Sequence, residues 1–226
     1  MKNIVNIMKY NFKTLKILYF IELIILIISL VTGRFISMIT WGWDIVALVG
    51  IVCTINFIAS LILFSSQISK EYGRLLFLTE IKGVEFIIGS LLQLVSVNLL
   101  SLLLIIIVNL IGIGVVSAKI LLVIIGIYIG FTVAYLIITS LIGIVYSYIK
   151  NSFFVVITTI LVAVIGSFVY EVITSYILGF LPYVYMTIGN NNAIEIDIIE
   201  WILGLIVIIG LQIVLGNSID KKLDIV

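Results

Sequence analysis

QISKEYGRLLFLTEIKGVE, residues Gln67 to Glu85, decides how this chain is read. It holds six charges, Lys70, Glu71, Arg74, Glu80, Lys82 and Glu85. The sequence on either side is uncharged and strongly apolar for a membrane's width. A charged stretch between two such runs divides them into separate transmembrane spans joined by a short polar connection.

Working outward, six segments reach the roughly 20 apolar residues that a helix needs to cross about 30 Å of hydrocarbon. They are 17–33, 45–66, 86–111, 120–145, 153–171 and 198–216. The first resembles a signal peptide in position, but no A-x-A-like site follows it, so it is read as an uncleaved span. Composition agrees with this count. Hydrophobic residues make up 64% of the 226-residue chain and charged residues 10%, where a soluble domain runs near a half and a quarter. The fold class expected is an all-α integral membrane protein, a single membrane domain over residues 1–226.

Lysine and arginine placement sets the orientation. An even number of spans puts both termini on one side. That side receives Lys2, Lys9, Lys13, Lys16, Lys70, Arg74, Lys82, Lys150, Lys221 and Lys222, and the other receives only Arg34 and Lys119. Both termini and the 67–85 segment are therefore expected in the cytoplasm, with the chain in the plasma membrane.

Two further elements follow from patterning. Lys2, Asn6, Lys9, Lys13 and Lys16 recur at steps of four and three, opposite Ile4, Ile7, Met8, Phe12 and Leu15. That pattern predicts a separate amphipathic helix lying at the inner membrane surface. Its plainer alternative is a basic tail that only sets topology. Between the last two spans, 172–197 carries Tyr176, Phe180, Tyr183 and Tyr185. Gly179 and Pro182 interrupt it, and Gly189-Asn190-Asn191-Asn192 forms an exposed turn. It is expected as one or two short, re-entrant-like helices at the outer interface.

The residues exclude much chemistry. Without histidine there is no Ser-His-Asp triad, no H-E-x-x-H site and no His/Cys zinc site. Cys53, the one cysteine, has no intrachain disulfide partner. No P-loop is present, so any ATP and Mg used must be bound by another chain. Net charge is +1, which argues against a nucleic-acid partner. Polar residues inside spans are the remaining candidates. Glu22 is a possible functional carboxylate, or a structural one reaching the inner interface, Lys150 or the N-terminal helix. Asn56, Gln93, Asn98, Asn109 and Gln212 either line a pathway or hydrogen-bond neighbouring helices. Gly126/Gly130 and Gly112/Gly114 are expected at close helix contacts.

The 67–85 segment also resembles the ABC-2 type permease family, whose cytoplasmic stretch after the second span has the form E-x-G-T, an apolar run, P-I, then E and a later G-K. Glu71 and Gly73 match the E-x-G, Leu75–Leu78 the apolar run, Ile81 the isoleucine, and Glu85 through Gly89 the later part. Arg74 stands for the threonine, Glu80 for the proline and Ser90 for the lysine. The resemblance implies a permease subunit that pairs with a second permease, identical or different, on an ABC ATPase dimer. Lys70, Glu71, Gly73 and Arg74 would form the ATPase-coupling site. The cargo implied is a hydrophobic or amphipathic peptide, lipid or drug; some small bacterial members expel antimicrobial peptides. The residues read alone agree that Glu71 and Arg74 share a helix face, while a solvated linker is the plainer alternative. Two other classes stay open: a six-span substrate-binding or stand-alone immunity module, and a membrane enzyme acting on lipids.

Overall fold

A computed structural model describes residues 2–40, 43–68, 81–110, 118–149, 151–180, 185–188 and 194–222. Among the described residues six helices run in chain order: α1 (Lys2–Thr40), α2 (Trp43–Ile68), α3 (Gly83–Leu110), α4 (Ala118–Tyr146), α5 (Ser152–Leu178) and α6 (Ile198–Lys222). Among the described residues five helical stretches are long and apolar enough to cross a membrane: Val46–Ile68, Gly83–Leu104, Ile120–Tyr146, Phe153–Leu178 and Ile198–Asp220. They coincide with five of the six expected spans. The chain is a multi-pass membrane protein whose described residues are almost all helical.

The expected first span, 17–33, lies inside α1, and here the structure corrects the sequence reading. The N-terminal amphipathic stretch is not a separate interfacial helix but the first part of α1. The reason is local: no glycine or proline occurs between Lys2 and Thr32, so nothing stops the helix. At 39 residues, α1 is about 58 Å long.

The chain divides into two compact units, Met1–Leu136 and Ile137–Val226, the division falling within α4. In the first unit, α1 runs alongside α3 in the same direction, since Asn3 meets Glu85 and Ile7 meets Gly89. α2 runs the opposite way, with Asn11 opposite Gln67 and Glu22 beside Asn56. Gly89 makes the α1–α3 approach possible. A Cβ built there would stand 2.9 Å from the Ile7 side chain and 3.2 Å from the Ile4 carbonyl oxygen. Aromatic rings fill the seams: Phe64 with Phe86 at 5.2 Å, Phe64 with Tyr135 at 6.4 Å and Phe57 with Phe131 at 5.6 Å between centroids. Val49, Cys53, Ile120, Ile124 and Tyr128 form a buried cluster. Gly126 and Gly130 do not serve the close packing expected of them: both are exposed with nothing within 4 Å of a Cβ. Gly112 and Gly114 lie outside the described residues.

In the second unit, Asn151 caps α5, its Oδ1 accepting from the Phe153 N–H at 3.0 Å. α5 runs on to Leu178 before Gly179 closes it. The expected short helices after residue 172 are thus replaced by a longer α5 and a two-stranded antiparallel ribbon. β1 (Tyr185–Ile188) pairs with β2 (Ile194–Asp197) in the register Tyr185↔Asp197 to Ile188↔Ile194. Tyr, Thr and Ile suit strands better than helix ends, and the glycine–asparagine stretch between them favours reversal. That stretch, 189–193, lies outside the described residues. α6 follows directly, and Gln212 Nε2 donates to Ser140 Oγ at 2.8 Å.

Candidate functional site

Polar residues in the first unit follow α1 as a series of contacts with α2 and α3. Asn3 Nδ2 donates to Glu85 Oε2 at 2.8 Å. Two turns on, Gln67 Nε2 donates to Asn11 Oδ1 at 2.7 Å, wholly buried. Gln93 Nε2 then donates to the Tyr19 hydroxyl and lies 3.4 Å from Ser60 Oγ. Between apolar helices such bonds act as specific links, because the hydrocarbon core holds no water and its lipid tails cannot hydrogen-bond.

The next level differs. Glu22 and Asn56 stand side by side, 7% and 1% exposed. Yet Glu22 Oε1 and both polar atoms of Asn56 make no hydrogen bond of proper geometry. A buried polar group left unpaired costs about 1–3 kcal/mol, so two adjacent side chains with three such atoms between them differ from the bonded pairs below. They line a cavity of roughly 450 Å3 between α1, α2 and α3. Its walls are apolar, from Phe12, Phe20, Leu23, Val52, Val97 and Leu100, and Lys13 and Lys16 line the part nearer the start of α1. Both lysines are exposed.

Lys13 and Lys16, from the N-terminal stretch offered as one structural partner of Glu22, line the same cavity as it does. Asn56, its neighbour, lies about 18 Å back along α2 from Ile68. Lys150 lies outside the described residues. Asn98 is buried with both polar atoms unpaired, on a second cavity of about 310 Å3 between α3 and α4. There Tyr128 also lines the wall, its hydroxyl 2.7 Å from Ser101 Oγ. Gln93 and Gln212 are helix-to-helix links, as one of the two sequence readings held. Asn109 falls in α3 and its side chain is not described. The coupling candidates Lys70, Glu71, Gly73 and Arg74 lie outside the described residues, although Gln67 and Glu85 bracket them.

Sequence reading missed Asn11, Tyr19 and Ser60. A signal for Asn11 was present. It falls on the apolar side of α1, at helical spacing from Ile7, Met8 and Leu15, where a polar residue asks for a partner. Among the described residues no group of histidine, cysteine, aspartate and glutamate is placed to hold a metal. No family model matches the chain, and no curated protein or solved structure matches it.

Proposed function

We propose that this chain is the membrane-spanning permease subunit of an ABC exporter, moving an amphipathic substrate with ATP hydrolysed by a separate subunit. The observation that carries the reading is the anchoring of segment 67–85. Gln67, at its start, is bonded to Asn11, and Glu85, at its end, to Asn3. Both partners belong to the first three turns of α1. A partner pressing on the charged segment would therefore act on α1, the helix that supplies Lys13, Lys16 and Glu22 to the cavity. Coupling of this kind requires only a continuous, hydrogen-bonded path with two arrangements.

The tagged chain should copurify with an ATPase from its native membrane and should bind no nucleotide alone. Truncating a charge that is partly desolvated at an interface costs about 2–5 kcal/mol. Glu71→Ala and Arg74→Ala should therefore weaken or uncouple the complex, read as ATPase recovery and substrate-stimulated hydrolysis. Glu195→Ala, on the other side of the membrane, is the control. Normal assembly and hydrolysis in both variants and in their double mutant would make the segment a solvated linker. The cavity without a copurifying ATPase would instead favour a stand-alone binding module.

A further inference from the structure

We propose that the cavity between α1, α2 and α3 binds a single-chain anionic amphiphile carrying a free hydroxyl just below its head, the chemistry of a lysophospholipid. As a statement about cargo this rests on the exporter reading; as a statement about binding it does not.

The unpaired atoms define the polar requirement. Glu22 Oε1 and Asn56 Oδ1 accept; Asn56 Nδ2 donates, and it faces the Glu22 carboxylate without closing a bond of proper geometry. A hydroxyl meets both needs, donating to Glu22 while accepting from Asn56. The esters of a diacyl lipid only accept, so they would leave the Glu22 oxygen facing another acceptor. The charges define the head. Lys16 lies six residues before Glu22 on α1, about 9 Å along the helix, and Lys13 lies a turn further. An anionic group held there places the next polar atoms of the molecule near Asn56. A cationic head would instead face the like charges of both lysines.

The shape agrees. Phe20 on α1 and Leu100 on α3 line the cavity and remain 64% and 51% exposed. The cavity thus opens sideways between those helices, the direction from which a lipid-borne molecule enters. Its volume, roughly 450 Å3, is in the range of small-molecule sites.

The test uses the full chain in detergent, with bound molecules counted by native mass spectrometry. The probes are palmitoyl lysophosphatidylglycerol, dipalmitoyl phosphatidylglycerol and cetyltrimethylammonium. One lysolipid per chain should be retained, in preference to the other two. Asn56→Leu should weaken its binding by roughly tenfold or more, the worth of a good buried hydrogen bond. Lys13→Ser with Lys16→Ser, both on exposed positions, should do the same without touching the interior, and serves if Asn56→Leu does not fold. Equal retention of the diacyl lipid, tighter binding of the cation, or unchanged lysolipid binding in the lysine double variant would overturn the proposal. No ATPase enters this assay. Lysolipid binding without an ATPase partner would sink only the exporter reading, and an ATPase partner without lysolipid binding only this one.

Discussion

Gly89 shows how much a single residue decides. With 2.9 Å between a built Cβ and the Ile7 side chain, Gly89→Ala should overpack the α1–α3 seam and cost about 1–3 kcal/mol. Ile7→Ala in the same chain removes Cγ2 but leaves Cβ at the same 2.9 Å, so it should restore only a small part of that loss. Thermal unfolding in detergent measures both, and a Gly89→Ala protein as stable as the parent would mean that the helices do not approach this closely. Sequence alone pointed elsewhere, to Gly126 and Gly130. Small residues at helical spacing are necessary for a close crossing but do not say which helix crosses there. Glu22 was legible as an exception, since a carboxylate in an apolar run is rare. Its neighbour Asn56 was legible only as one polar residue among several. Their pairing depends on the opposed direction of α1 and α2 and on register, which no local pattern carries.

At the scale of elements, α1 is the part that sequence reading divided and the structure joins. Hydropathy placed the other spans well, because length and apolarity are all a bilayer demands. It separated the basic stripe from the span because charge changes at Lys16, whereas a helix ends only where a residue stops it. The polar contacts along α1 then do what apolar packing between helices in lipid does poorly: they fix register. Asn11→Leu should leave the buried Gln67 amide unpaired and cost about 1–3 kcal/mol. Gln67→Leu alone should cost a similar amount. The double variant, with neither polar group left behind, should recover most of the loss. A double-mutant cycle on thermal stability gives the coupling directly. Strict additivity of the two single changes would show that Asn11 and Gln67 do not work as a pair.

Across the whole molecule, segment 67–85 matters only if it faces the compartment that holds ATP. We propose that the lysine and arginine asymmetry puts it there, with both termini, and puts the 172–197 connection on the opposite side. The two sets of charges lie near span ends, within the range over which this bias acts. Single cysteines at positions 190, 191 and 192 in a Cys53→Ser background should therefore react with an impermeant thiol reagent on intact cells. A cysteine at position 70 should stay unlabelled until the membrane is opened. Labelling at 70 with protection at 190–192 would invert the chain. Lys70, Glu71 and Arg74 would then face away from any cytoplasmic ATPase, and Lys13 and Lys16 would draw anionic amphiphiles from the outer rather than the inner leaflet. The exporter reading would fall with that result, whereas the polar match of Glu22 and Asn56 to a hydroxyl would still stand, because it depends on the cavity and not on which side of the membrane the cavity's basic end faces.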